Sequence, residues 1–201
     1  MRILGDLSEN DMILAFLAAE VDSPRWGYFV RAGLRGNLSL VSDPDLSNAT
    51  ENELRKQALD SYRGYASNDR LFEGFPAHVA WKDVEVSVPE LGGFHYARVE
   101  PFPALTGGTL LVRDGAARLQ SLQAGGPHLL RFKTSVLAVE AGIHHGEVFQ
   151  PLIAAADGPA EPHFLLEGHT RATAYLRARA PEYAIKVIVG YVSGLSKWNW
   201  Y

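Results

Sequence analysis

FLLEGHTRATAYLRA (residues 164–178), followed closely by IKVIVGYV (185–192), decides how the chain is read. An apolar run stops at Glu167-Gly168-His169-Thr170-Arg171, and a helical pattern with Ala172, Tyr175 and Leu176 on its inner face starts at once. The spacing predicts a helix over about 169–179, closed off by Pro181, and a buried strand over 184–192. Upstream, FQPLIAAAD (149–157) and HFLLE (163–167) have strand composition, and Gly-Pro-Ala-Glu (158–161) lies between them, which predicts a hairpin. The order strand, strand, helix, strand points to a small mixed sheet with helices, an α+β fold. It also puts Glu167–Arg171 where a strand hands over to a helix N-terminus.

Towards the N-terminus the texture changes. Residues 1–75 read as a helical lobe, and 76–201 as an α/β domain. Ser8 with Asp11 three positions later marks a helix start. Met12, Ile13, Phe16 and Leu17 then share one face. Ser23-Pro24 opens a second helix carrying Trp26, Phe29, Val30 and Leu34, and a third is expected to be capped near Thr50, with a stripe of Leu54, Ala58 and Tyr62. RLFEGFP (70–76) reads as a staple with Phe72 and Phe75 buried. Val79–Trp81, Val84–Val88 and FHYARVEPF (94–102) have strand composition. Residues 113–122 read as a short helix, and 134–142 fits either a helix or a strand, with Gly142 as a C-cap favouring the helix.

At 201 residues and 47 % hydrophobic, the chain has enough apolar material for one core with a small satellite. A net charge of −4 argues against coating nucleic acid by bulk electrostatics. The absence of cysteine excludes disulfides, thiolate zinc sites and cysteine nucleophiles. With no apolar run of membrane-spanning length and no leader-like segment, a cytoplasmic location is expected.

The turn itself combines four features. A helix N-terminus offers unpaired N–H groups and partial positive charge. Gly168 permits a sharp turn and a close approach, Arg171 has the bidentate geometry for phosphate or carboxylate, and His169 and Thr170 add a titratable group and a hydroxyl. A second reading fits the same letters: Glu167 pairs with Arg171, and Gly168 serves only the turn.

FLLEGHTRATAYLRA with IKVIVGYV after it resembles the ParB/sulfiredoxin superfamily, in which a strand ends in an acid-Gly-x-x-Arg motif before an alanine-rich helix and another apolar strand. FQPLIAA stands where that family has its Pro-led strand. The resemblance covers about 94–192 loosely and 149–192 well. It implies a ParB/sulfiredoxin-like domain whose turn holds nucleotide phosphates, with Gly168 as the motif glycine, Arg171 as its final arginine and Glu167 as its acid. It departs from the family at His169, where ParB has Glu, and at Thr170, where ParB has Arg. With no cysteine in the motif, sulfiredoxin chemistry is excluded. Losing the Glu-Arg pair weighs against ParB-type CTP hydrolysis.

Elsewhere, Thr106-Gly107-Gly108-Thr109 is either a second backbone-amide nest for an anion, with Arg98 and Arg113 nearby, or only a turn. His144-His145-x-Glu147 lacks metal-ligand spacing and reads as a loop. His163 lies in a strand expected to bring it towards the turn, and His95 reads as structural. Trp198, Trp200 and Tyr201 either pack back on the fold or make a contact in a homo-oligomer, or stack on a base. The sequence therefore predicts a nucleotide or other phosphate ligand, with or without Mg²⁺, at Gly168, Thr170 and Arg171, extended by Thr106, Gly107 and Gly108. His169 and Glu167 are the groups expected to move a proton in an NTPase or phosphotransferase reaction. A DNA-associated protein and a non-catalytic protein-interaction module are the alternatives.

Overall fold

The computed structural model describes residues 1–121, 126–178 and 184–201. It is an α+β protein built on one five-stranded mixed sheet, with the strands in the order β1-β2-β5-β3-β4. These are β1 (Arg2–Leu7), β2 (Ala80–Val86), β3 (Leu152–Ala156), β4 (Phe164–Glu167) and β5 (Ile185–Tyr191). The pairs β1/β2, β2/β5 and β3/β4 are antiparallel, and only β3/β5 is parallel. The expected hairpin is therefore β3–β4, and the chain crosses back through a helix to place β5 on the other side of β3.

Alternation along the strands divides the molecule into two layers. Ile153, Ala155, Phe164, Leu166 and Ile188 point to one face, whereas Leu152, Ala154, Leu165, Val187 and Val189 point to the other. The first face is covered by α1 (Glu9–Glu20), α2 (Gly27–Gly33), α3 (Ser39–Ser42) and α4 (Ala49–Arg63). The second is covered by α5 (Val88–Leu91), α6 (Phe102–Thr106), α7 (Val112–Ser121), α8 (Pro127–His144) and α9 (His169–Ala178). Within α8 and α9, Arg177 Nε donates to Glu140 Oε2 at 2.9 Å, while the Phe102 ring touches both Phe132 and His169. The two helices thus run parallel, with their N-termini at the same end. None of the helices among the described residues is long and apolar enough to cross a membrane.

The local signals hold where side chain and backbone cooperate. Ser8 and Asp11 form a reciprocal capping box on α1. The start of α4 differs from expectation: Asn48 caps it, accepting from Thr50 N at 3.0 Å and Glu51 N at 3.2 Å, because an Asn amide placed just ahead of Thr50 reaches both amides. Residues 2–7, expected to belong to a helical lobe, form edge strand β1 with a bulge between Ile3 and Gly5. The N-terminal segment is thus joined to the same sheet as the rest. FHYARVEPF does not form a strand. Only His95 makes bridges, to Leu111 and Phe164, since Pro101 and Pro103 cannot sustain a ladder and the chain enters α6. The 134–142 helix is real but longer, spanning all of α8, with Gly142 inside it. Pro181 lies outside the described residues.

The aromatic C-terminus packs back on the fold. Trp198 Nε1 donates to Leu71 O at 2.6 Å and Trp200 Nε1 to Arg70 O at 2.8 Å. Phe72 and Phe75 are buried, and Phe75 meets Trp198 edge to face at 5.7 Å.

Candidate functional site

β4 ends at Glu167, and Gly168 turns the chain with φ of +92°. A side chain at Gly168 would be strained by that dihedral, and its Cβ would lie 2.5 Å from Leu152 Cδ2, so β3 approaches the turn as closely as glycine permits. Gly168 O accepts from Ala172 N at 2.8 Å. The amides of His169, Thr170 and Arg171 therefore precede the first helical bond and lack an acceptor within α9.

Arg171 does not reach outward. It is 8 % exposed, its Nη1 donates to the carbonyls of Gln150 and Pro151, and its Nη2 lies 3.3 Å from Glu167 Oε1. The loop entering β3 leaves those carbonyls facing the turn, and buried carbonyls need donors. The guanidinium expected to grip a ligand directly is instead a brace that ties β3, β4 and α9 together. Glu167 is its partner, as in the alternative reading of the turn.

His169 is also changed from expectation. Its ring lies nearly parallel to Phe102, 4.8 Å away, and to Tyr96, 6.0 Å away. Its Nε2 is buried without a hydrogen-bond partner. Burial, followed by the positive charges of Arg63, Arg171 and Arg25, pushes its pKa down to about 3. An imidazole held neutral across the physiological range is a poor proton shuttle and offers a lone pair instead. Thr170 stands half-buried beside it. Behind the ring, the Tyr96 and Thr173 hydroxyls are 2.6 Å apart, and Thr173 Oγ1 donates to His169 O at 2.7 Å.

The charges acting on His169 come largely from the other layer. At the end of α1, Glu20 is 2 % exposed and accepts from Tyr62 Oη at 2.6 Å and Arg63 Nε at 3.2 Å. Burial raises its pKa, although Arg63 pulls the other way, and the charge of Glu167 raises it further. Arg63 Cζ lies 3.9 Å from the Trp26 ring centre and Arg25 Cζ 4.6 Å from it. Arg25 is lowered by burial first and then by Arg63, and Arg131 of α8 adds to the repulsion. Arg25, Arg63 and Arg171 thus all act on His169, with Glu20 and Glu167 as the nearby carboxylates, and Arg131 acts on Arg25. Arg25 and Arg131 are exposed, and among the described residues no carboxylate pairs with either. α8 and α9 are parallel, so their positive ends point the same way.

The second anion nest is not formed. Thr106 is the last residue of α6 and fully buried, with its Oγ1 donating to Phe102 O at 2.8 Å. Both Gly107 N and Gly108 N donate to Pro103 O, so their amides cap a helix C-terminus, whose partial charge repels anions. His163 is at the far end of β4 from Glu167, about 13 Å of strand away, and it stacks on Phe94 at 4.9 Å. His144, His145 and Glu147 are exposed.

Arg25 and Arg63 carry no sequence signal for this site, because tertiary packing alone brings their charges within range of His169. Glu20 does carry one. It is an acid in the apolar run FLAAEV, and a carboxylate there requires a buried partner. Compared with protein-family models, curated proteins and solved structures, the chain gives no match in any of the three.

Proposed function

We propose that the chain binds a nucleotide or another small phosphate-bearing ligand at the first turn of α9. Arg25 and Arg131 supply exposed positive charge, Arg63 a half-buried one, and the α9 amides the directional donors. Arg171 is a positioning residue that holds the turn through Gln150, Pro151 and Glu167. The observation that carries this reading is the gathering of Arg25 and Arg63 on one Trp26 ring, within range of the start of α9, where their charges and that of Arg171 act on His169. The sequence resemblance of 149–192 to the ParB/sulfiredoxin superfamily, which rests on the same turn, points the same way. In a phosphoryl-transfer or hydrolysis step, positioning and charge neutralisation are the contributions this geometry favours. Proton transfer falls to Glu167 rather than to the neutral His169.

Calorimetric titration with inorganic pyrophosphate and triphosphate, with and without Mg²⁺, tests the reading. Binding is expected, and a ligand at a hundred times its Kd should stabilise the fold by about 2.7 kcal/mol. The double variant Arg25→Ala/Arg131→Ala should lose binding while changing stability by no more than about 1 kcal/mol. Absence of binding by every polyphosphate and nucleotide tried would remove the proposal.

A further inference from the structure

We infer that the chain has a second binding site, for a free amino acid with an aromatic side chain, in the cavity between the start of α1, α4 and the loop that leads into β2. This site is independent of the phosphate reading: Glu9 and Glu20 lie at opposite ends of α1, about 16 Å apart at the helical rise. The cavity holds about 480 Å³, within the usual range for small-molecule sites. Its inner wall is aromatic. Phe72, Phe75 and Trp81 are buried there, and Phe72 meets Tyr65 edge to face at 4.8 Å and Phe75 at 5.4 Å. Its rim is charged: Glu9 Oε1 accepts from Lys56 Nζ at 3.0 Å and from Tyr65 Oη at 2.9 Å, with Glu9 exposed and Lys56 half-buried. Burial first, and then the charge of Glu9, raises the pKa of Tyr65, so its hydroxyl stays a donor to that oxygen.

The loop that walls the cavity, between α4 and β2, is held in a costly conformation. Asn68, Arg70 and His78 have φ of +53°, +52° and +60°, in addition to Gly64 and Gly74 at +75°. Asn68 fastens the loop internally, its Oδ1 accepting from Gly74 N at 2.6 Å and its Nδ2 donating to Phe75 O at 3.2 Å. The C-terminal segment clamps it from outside through Trp198, Trp200 and the amide of Asn199, which donates to Glu73 O at 3.1 Å. A wall fixed this way is preorganised, which lowers the cost of ordering a site around a ligand. The lining then selects the occupant. Lys56 and Glu9 sum to no net charge, which favours neither a simple anion nor a simple cation. An α-amino acid carries an ammonium and a carboxylate on one carbon, the inverse of a Lys–Glu pair 3.0 Å apart. Lys56 has further N–H groups for its carboxylate, and Glu9 Oε2 can accept from its ammonium. The buried rings take a flat apolar side chain, which alanine or serine could not supply.

The test is calorimetric titration of the full chain with free phenylalanine, tyrosine and tryptophan, and with alanine for comparison. At least one aromatic amino acid should bind roughly tenfold or more tightly than alanine. It should lose about tenfold or more when its amine is acetylated, and again when its carboxylate is converted to the amide. Lys56→Met and Glu9→Gln, both away from the buried core, should each weaken binding by a similar factor with the circular dichroism spectrum unchanged. Binding of none of the three, equal binding of alanine, indifference to both blocked forms, or affinity retained in both variants would each overturn the site.

Discussion

Two glycine turns in this molecule use nearly the same residues to opposite ends. Gly168 opens α9, and Gly107 closes α6; each has a threonine within two residues and an arginine close to where its Cβ would lie. At Gly168 the amides that follow lead into a helix and have no acceptor within it. At Gly107 and Gly108 the amides fold back onto Pro103 O. Helix polarity, rather than the presence of glycine, threonine and arginine, separates the two turns: one carries the partial positive end of a helix and the other the partial negative end. The arginines differ too: Arg171 is built into the fold, whereas Arg118 lies against Gly107 as the end of a long side chain.

The largest expected effect tests whether Arg171 is a brace. Arg171→Met should destabilise the protein by about 3 kcal/mol in urea denaturation, because Glu167 and two carbonyls lose their partner. A loss below about 1 kcal/mol would return Arg171 to the role of a free ligand-binding group. Next, Gly168→Ala should cost about 2–3 kcal/mol, combining left-handed strain with the contact on Leu152. Gly107→Ala should cost about 1 kcal/mol, since the flexible Arg118 tip moves away. Equal costs would mean that β3 does not press on the first turn.

Acid stability separates the two turns further, because only the one at α9 carries a buried imidazole. The pKa of His169 is lower in the folded state than in the unfolded chain, so the unfolded state binds more protons. Stability then falls as pH drops from about 6.5 towards about 3, with a slope near 1.4 kcal/mol per unit from this group. His169→Asn should flatten the denaturation midpoint over that window. An unchanged pH profile would show that the imidazole is not held neutral. The smallest effect is a change of no more than about 0.5 kcal/mol for Arg131→Ala, an exposed and unpaired residue.

The sequence made the C-terminal third of the fold legible because each element there is bounded by its own chemistry. Apolar runs ended in glycine, proline or an acid, and the 3.6-residue pattern of Ala172 onward left little choice. β1 was hidden because RILGDL has no alternation that a solvent-exposed edge strand would need, and it is ordered by pairing with β2. FHYARVEPF had the composition of a strand, but Pro101 within it and Pro103 after it lead the chain into α6. The candidate site was half legible. Gly168 and the helix start were written locally, whereas Arg25 sits in the turn before α2, Arg63 at the end of α4 and Arg131 in α8, and only packing brings these segments near one another. Even the meaning of Arg171 depended on where two carbonyls, twenty residues away, come to lie.

All four tryptophans, Trp26, Trp81, Trp198 and Trp200, belong to the core on the face covered by α1–α4. The opposite face holds tyrosine and phenylalanine but no indole. Intrinsic fluorescence excited at the indole band is therefore a one-sided reporter, blind to α5–α9. Paired with far-ultraviolet circular dichroism, it distinguishes a sheet that melts with both of its coats from one that sheds the N-terminal coat first.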